Sequence, residues 1–458
     1  RDMEKALAGL TYQMFGLNAE MVSPIMKNKI TLMACSALLT QTLFIPVHRA
    51  AASGFALRET DAVSLGNAYV GSVSRAGDAS TVLMNPAGMS FLDHSELQSN
   101  VFYAGPVARF SGQNYMGPGV TTPGVQGNRG ITDAATAAGY GVLKIDPHWA
   151  IGYGFYTPYG QRANYPSNWV GRYQSLVSAV TDYELGIMAS YRFNKRLSIG
   201  VGPRMGFLAG RFTRGVNLGP LNALGPTTVD MAGNAFGFGY DAGILYKPDD
   251  ATQIGINYQS RISYDLSTRT KFSPPPLLAA NPLINGSLIA QSGHGAMQVT
   301  LPDSVSFGIT RVLSPRWTIM LQGEWTHWSL LHSLNNTSDH PGGLSSSIPV
   351  NWRNSWFGGI GATYQVSKAV LLRGGFSYDQ SPTTVRNRNT ITPDTNRFDL
   401  AGGVDYTPIK RLTLTLSYAH IFGTNPKIND AASETSGRLI GSYNDYGNVV
   451  AFGVRTRF

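Results

Sequence analysis

The chain has 458 residues, of which 43% are hydrophobic, 11% aromatic and only 14% charged. Its mean hydropathy of -0.09 excludes a bundle of membrane-spanning helices, because each helix needs about 20 consecutive apolar residues. A transmembrane β-barrel fits, since only alternate residues of its strands face lipid. The net charge of +9 is spread along the chain without a basic run, which argues against nucleic-acid binding.

The first 52 residues predict export from the cytoplasm. A basic stretch at 26–29 precedes a mostly apolar stretch at 30–47, and three alanines at 50–52 form a cleavage site. This order is typical of a cleavable signal peptide at 26–52. Residues 1–25 lack signal character and are interpreted as an upstream extension of unclear status. The single cysteine, Cys35, lies in the signal, so we expect no disulfide in the mature chain.

Residues 53–96 contain neither a strand pattern nor a long helix pattern. The segment is small, turn-rich and partly apolar, and it includes the sequence Asn85-Pro86-Ala87. A long series of strands follows it. We therefore expect a compact N-terminal hatch that plugs the lumen of a barrel built from residues 97–458.

From residue 97 onward, apolar and polar residues alternate with the period of a β-strand. Leu412, Leu414 and Leu416 alternate with Thr413 and Thr415, for example. Small and polar residues on the second face indicate a lumen rather than a soluble core.

Short turns and longer polar segments separate the predicted strands. The turns lie at 145–148, 194–196, 247–250, 313–315, 366–368 and 407–410, and the longer segments near 111–130, 159–180, 213–234, 267–296, 329–353, 381–394 and 424–440. Six turns and seven loops join fourteen strands. The pattern predicts an all-β protein, a fourteen-stranded antiparallel transmembrane β-barrel of the Gram-negative cell outer membrane.

The third predicted strand, which begins at Trp149, carries Gly152, Gly154 and Pro158. Proline cannot donate to a β-ladder and glycine weakens one, so these residues predict a kink or bulge. In the alternative interpretation, the glycines pack against a neighbour and Pro158 simply ends the strand.

The chain resembles the FadL/TodX-like outer-membrane transport proteins, which carry long-chain fatty acids or other hydrophobic molecules. The resemblance rests on Gly54-Phe55, Glu59, Asp78-Ala79 and Asn85-Pro86-Ala87, and on segments at 169–173, 301–303, 324–329, 352–356, 372–382 and 393–397. It implies that a kink in the third strand opens the barrel wall sideways and that the Asn-Pro-Ala turn packs near it. Asn85, Pro86, Ala87, Gly152, Gly154 and Pro158 are therefore the candidate hatch and gate residues.

The resemblance also implies a lumen site for the head group of an acidic solute. Its position matches Arg214 and Arg353, with Arg211 as a possible substitute and Phe207 as an apolar contact. The alternative for each arginine is an ion pair in the lumen or a solvated loop charge.

Apolar residues in the outer loops are candidates for the first capture of a solute. They are Leu277, Leu278, Leu330 and Leu331. The alternative is that they pack one loop against another.

Together these features predict passive uptake of long-chain fatty acids or similar molecules, with an aromatic-hydrocarbon channel as the alternative. A polar porin would need no hatch. The sequence contains no G-x-S-x-G elbow, P-loop or zinc-ligand spacing. We therefore expect that the protein is not an enzyme and that it binds no cofactor and no metal. The expected partners are the apolar solute, outer-membrane lipid and lipopolysaccharide, and the barrel-assembly machinery that reads a terminal aromatic such as Phe458. We expect the protein to work as a monomer.

Overall fold

The computed structural model describes residues 54–433 and 435–458. The predicted extension at 1–25 and signal peptide at 26–52 lie outside the described residues.

Fourteen antiparallel strands form a closed barrel within the described chain, which confirms the predicted fold class. The strands are β1 (Glu96–Gly117), β2 (Ala134–Lys144), β3 (Trp149–Asn164), β4 (Val177–Arg192), β5 (Leu197–Val216), β6 (Thr227–Tyr246), β7 (Thr252–Gln259 and Ile262–Ser273), β8 (Gly293–Leu301 and Ser304–Val312), β9 (Trp317–Thr326 and Ser333–Ser338), β10 (Ser346–Pro349 and Ser355–Gln365), β11 (Val370–Asp379), β12 (Arg397–Ile409), β13 (Leu412–Gly423 and Lys427–Ser433) and β14 (Gly437–Arg457). Each strand pairs with its neighbours in sequence, and β1 pairs with β14 from Glu96↔Arg457 to Tyr115↔Arg438. Closure leaves no exposed sheet edge between the first and last strands.

Helices are few and short. The described residues contain α1 (Ala62–Leu65), α2 (Thr81–Met84), α3 (Pro276–Ala279) and α4 (Pro282–Gln291), with 3-10 turns at Pro86–Phe91, Gly219–Leu224 and Trp328–Leu330. Among them, no helix has the length and apolar character needed to cross a membrane.

The alternation read from the sequence sets which side chains face the lumen. In β13, Thr413, Thr415 and Ser417 are buried on the inner face, while Leu416 and Tyr418 are exposed on the outer face. Apolar side chains therefore point to lipid and polar side chains line the interior.

Several strands extend further into the predicted loops than expected. The predicted loop at 424–440, for example, is mostly strand, because the second part of β13 pairs with β14 there. Hydrogen bonds between strands continue beyond the membrane, where the outward-facing side chains are polar, as at Lys427, and an inward-facing one such as Ile428 can be apolar. The pattern of apolar-out and polar-in residues that marks a membrane strand is therefore absent.

The N-terminal segment, residues 54–95, packs against the inner faces of the strands. Glycines in the wall allow its backbone to approach closely. A Cβ on Gly200 would lie 2.3 Å from the carbonyl carbon of Pro86, and one on Gly375 would lie 2.2 Å from the carbonyl oxygen of Asn67. The segment is thus seated on backbone as well as on side chains.

Candidate functional site

The wall of the barrel is interrupted between β2 and β3. The ladder between these strands runs from Lys144↔Ala150 only to Gly139↔Phe155. On its other side, β3 pairs with β4, but the register shifts between Tyr156 and Tyr159. Pro158 lies in this bulge. Because proline has no N–H to donate, the bulge places it where the ladder needs no donor.

The two strands are joined again further along. Gly130 accepts a hydrogen bond from the backbone N–H of Asn164 at 2.7 Å, and Arg162 accepts one from Thr132 at 3.2 Å. In the described chain, no backbone pairing joins residues 133–138 to residues 156–161. We call this gap the side window. Four alanines on its β2 side make an apolar lip of small side chains, namely Ala134, Ala135, Ala137 and Ala138.

The N-terminal segment pairs with the strand edge that the side window leaves free. Leu57 donates its N–H to the carbonyl of Pro158 at 2.7 Å, and Gly160 donates to the carbonyl of Phe55 at 2.8 Å. Ala56 lies opposite Tyr159 in this short antiparallel bridge. The beginning of the segment therefore occupies the edge of β3 where β2 would otherwise pair.

The two predicted gate glycines lie just beyond the side window and accommodate the N-terminal segment. A Cβ on Gly152 would lie 2.7 Å from both Val82 and Met89, and one on Gly154 would lie 2.7 Å from Leu83. Both glycines pack against a neighbour, as the alternative interpretation stated, while the break in the strand is centred on Pro158.

Hydrogen bonds anchor the Asn-Pro-Ala turn to the inner wall of the barrel. The Asn85 side-chain amide donates to the carbonyls of Val73 at 2.8 Å and of Ile244, in β6, at 3.1 Å. Its side-chain oxygen accepts from Ala87 N–H at 3.2 Å. Ala87 in turn accepts from Ser198, in β5, at 2.8 Å. Ala87 also accepts from Ser190, in β4, at 3.1 Å. The turn itself therefore contacts β4, β5 and β6, and its sequence neighbours make the contacts with β3.

An aromatic cage surrounds the first side chain of this segment. The Phe55 ring lies 5.2 Å from Trp328, 5.6 Å from Trp352 and 5.8 Å from Tyr159, measured between ring centroids. All but Tyr159 are almost fully buried. The predicted capture residue Leu331 packs in the same apolar cluster.

Ion pairs around the buried Asp379 hold the segment next to the cage. Arg58 lies 3.0 Å from Asp379 in β11 and 3.2 Å from Glu324 in β9, and Arg397 also pairs with Asp379 at 3.1 Å. Burial alone would lower the pKa of Arg58, but the two carboxylates outweigh it and raise the pKa above its ordinary value. Nothing in the sequence singled out Arg58, because its partners are more than 250 residues away.

A small chamber separates the segment from the kinked strand. It has a volume of about 100 Å³ and is lined by Leu57, Arg58, Tyr156, Pro158 and Trp328 among others. Ligand pockets usually measure roughly 300 to 1,000 Å³. The chamber therefore cannot hold a long acyl chain while the segment is in this position.

The predicted head-group arginines are not brought together. Arg214 lies on the inner face of β5, half-buried, and forms no ion pair with any described residue. Arg211 is on the outer face, where it pairs with Asp230 at 2.9 Å. Phe207 also faces outward, with its ring 4.9 Å from Phe236. Arg353 is exposed at the rim and donates to the carbonyl of Ser381 at 3.3 Å. Only Arg214 thus combines an inward position with a free charge.

The apolar loop residues differ in exposure. Leu277 is 67% exposed, whereas Leu278 and Leu331 are buried and Leu330 is half-buried. Leu330 and Leu331 also line a cleft of about 700 Å³ beside β7 and β8. Leu277 can meet a solute directly, while Leu278 packs loop against loop.

Comparison with known proteins gives a consistent result. The family model for outer membrane protein transport proteins (OMPP1/FadL/TodX) matches residues 45–458. A long-chain fatty acid transport protein of Salmonella typhi is 27% identical, over 87% of this chain and 94% of that protein.

Solved structures share the fold. A Pseudomonas aeruginosa FadL homologue is 23% identical with a TM-score of 0.80, covering 88% of this chain and 100% of that one. The Ralstonia pickettii toluene transporter TbuX is 16% identical with a TM-score of 0.59, covering 89% and 99%. The relatives are transport proteins, which confirms the prediction that this chain is not an enzyme. The chain belongs to the OMPP1/FadL/TodX family of outer membrane transport proteins, and its place is the outer membrane of a Gram-negative bacterium.

Proposed function

We propose that this protein takes up long-chain fatty acids by passive diffusion, and that they leave sideways through the side window. The observation that carries this proposal is the unpaired gap between residues 133–138 and 156–161, occupied from inside by residues 55–57. The name of the Salmonella typhi relative supports the choice of substrate.

Capture begins at the loop end of the barrel. Exposed Leu277, with Leu330 beside its cleft, offers apolar surface to a solute that water excludes. Burying each CH₂ group contributes roughly 0.8 kcal/mol, so a few methylene groups are enough for transient binding. This step concentrates the solute without requiring an energy source.

In the lumen, the acyl chain enters the aromatic cage and Arg214 holds the carboxylate. An unpaired guanidinium that faces inward can form charge-assisted hydrogen bonds with a carboxylate. Arg353 at the rim serves as an earlier contact. Arg211 and Phe207 have no part in this proposal, because their side chains face outward.

Residues 53–96 act as a hatch in this scheme. Movement of residues 55–57 away from the edge of β3 enlarges the 100 Å³ chamber and uncovers the alanine lip of the side window. Two backbone hydrogen bonds join this edge to the segment in the described chain, and the same movement withdraws the Phe55 ring from the aromatic cage. We also propose that the protein works as a monomer, that lipopolysaccharide surrounds its loop end, and that barrel-assembly machinery reads Phe458.

A disulfide lock tests the exit route. Ala56 and Tyr159 face each other between two hydrogen bonds, an arrangement in which Cα atoms lie about 4.5 Å apart. This separation suits a disulfide. We expect oxidised Ala56→Cys/Tyr159→Cys protein to lose fatty-acid uptake and to regain it on reduction. The pair Leu416→Cys/Phe452→Cys, which staples β13 to β14, is the matched control and should transport in both states. Full uptake by the oxidised lock would exclude exit along this edge.

Aromatic hydrocarbons are the second candidate substrate. The aromatic cage already holds the flat ring of Phe55, and aromatic rings favour edge-to-face contacts at 4.5–7 Å, so it suits a flat solute. The toluene transporter TbuX has the same fold. A competition assay with oleate and toluene on the purified protein distinguishes the two substrates. Displacement of oleate by toluene at similar concentrations would favour the hydrocarbon.

A further inference from the structure

The two ends of the barrel differ in charge. The six turns at 145–148, 193–196, 247–251, 313–316, 366–369 and 410–411 carry seven Lys/Arg and three Asp. The much longer segments that join strands at the opposite end carry five Lys/Arg and four Asp/Glu, counted over 118–133, 165–176, 217–226, 274–292, 327–332, 339–345, 350–354, 380–396, 424–426 and 434–436. Among these connecting segments, positive charge is therefore denser at the turn end.

Two of the three acidic residues among the turns already have structural partners. Asp146 accepts hydrogen bonds from the backbone N–H groups of His148 at 2.6 Å and Trp149 at 2.7 Å. Asp249 accepts from Ala251 at 2.8 Å and lies 3.6 Å from Arg311. These carboxylates stabilise their own turns, so they leave the other turns unneutralised.

Four turns contain basic residues and no acidic ones. We call their six cations the basic collar, which consists of Lys195, Arg196, Arg316, Lys368, Lys410 and Arg411. All six are exposed, and within the described part of the chain none lies within ion-pair distance of a carboxylate. Arg316 reaches only the hydroxyl of Tyr364, at 3.4 Å. The collar thus presents free positive charge.

Aromatic side chains fix the depth of the collar in the membrane. Phe193, Trp317 and Tyr406 are exposed within four residues of collar cations, and the Trp317 ring lies 4.7 Å from that of Tyr364. Outward-facing aromatic belts lie at the membrane–water interface. Cations just beyond such a belt are at the level of lipid phosphates.

We propose that the basic collar binds the phosphate head groups of anionic phospholipids in the leaflet that faces the turns. Between β8 and β13, successive turns are two strand spacings apart, which is roughly 10 Å. This distance is close to the Debye length, so the electric fields of the cations on neighbouring turns add. Guanidinium groups match the geometry of phosphate oxygens. The charges are distributed around the perimeter at lipid depth, which suits a shell of lipids rather than one soluble acidic protein.

The test is the lipid that the barrel selects. The full mature protein is placed in bilayer nanodiscs with equal amounts of phosphatidylethanolamine and phosphatidylglycerol, and retained lipids are counted by native mass spectrometry after gentle release. The collar variant is Arg316→Gln/Lys368→Gln/Lys410→Gln/Arg411→Gln. The matched control removes the same charge near the loop end, as Arg269→Gln/Lys271→Gln/Arg386→Gln/Lys427→Gln.

We expect the wild type and the control to retain phosphatidylglycerol preferentially, and the collar variant to lose this preference by roughly threefold or more, as removal of several basic residues from an anionic surface predicts. Raising NaCl to 0.5 M should weaken the preference of the wild type, a test that needs no variant. Equal retention of both lipids by the wild type, or an unchanged preference in the collar variant, overturns the proposal. Transport activity does not enter this readout, so the proposal does not depend on the exit route.

Discussion

Replacing Asn85 with alanine should loosen the N-terminal segment without unfolding the barrel. The fully buried side chain makes three hydrogen bonds, to Val73 at 2.8 Å, Ile244 at 3.1 Å and Ala87 at 3.2 Å. Each such bond contributes about 1 kcal/mol net, so the loss amounts to about 3 kcal/mol. At 1.4 kcal/mol per factor of ten, local opening of residues 81–91 should become roughly 100-fold more frequent.

Hydrogen exchange of the purified protein measures this opening directly. Amides in 81–91 should exchange faster in Asn85→Ala, while strand amides such as those of β13 and β14 should keep their protection. Asn444→Ala, at an exposed position on the outer face, is the control and should match the wild type. Unchanged exchange in 81–91 would refute the anchoring role assigned to Asn85, and unchanged uptake alongside faster exchange would refute its role in transport.

Further substitutions test other parts of the site. Arg214→Met should weaken oleate binding about 10- to 100-fold, because a charge-assisted hydrogen bond is lost, and should leave toluene binding unchanged. The control Arg211→Met, on the outer face, should leave the binding of both solutes unchanged. Equal losses of oleate binding by the two variants in a fluorescence displacement assay would contradict the assignment of Arg214. Gly154→Ala places a Cβ 2.7 Å from a leucine of α2 and should cost about 1–3 kcal/mol in local stability, seen as faster proteolysis of the N-terminal segment. Gly374→Ala meets nothing within 4 Å and should resist proteolysis like the wild type. Asp379→Asn leaves the buried Arg397 and the partly buried Arg58 underpaired and should cost about 3 kcal/mol. Amides of residues 55–60 should then exchange faster, and wild-type exchange there would show that the ion pairs do not hold the segment.

The sequence predicted the barrel well because its strands obey a local rule. Alternation at positions such as Leu416 and Ser417 depends only on which face meets lipid, and the turn residues mark where strands end. Strand ends were less predictable, since β13 continues past residue 424 by pairing with β14 rather than by any local pattern.

The candidate site depended on contacts between distant residues, which local patterns do not reveal. The register shift in β3 lies beside Pro158, a position that a local rule can suggest because proline lacks an N–H wherever it occurs. Side chains alternate between the two faces of a strand. Arg211 and Arg214 are three residues apart in β5, so this alternation would have assigned them to opposite faces. The partners of Arg58 and of Asn85 are set by how the N-terminal segment lies in the closed barrel, and no spacing in the sequence encodes that arrangement.

Photolabelling during transport tests the exit route most directly. A fatty acid with a photoreactive group in its chain is supplied to outer membranes containing the protein, and labelled residues are mapped by mass spectrometry after a brief flash. Exit through the side window predicts labels at 133–138 and 156–161, and their loss in the oxidised Ala56→Cys/Tyr159→Cys protein. Labels that bypass these residues and follow the lumen down to the turn end, near Asp93 and His94, would contradict lateral exit.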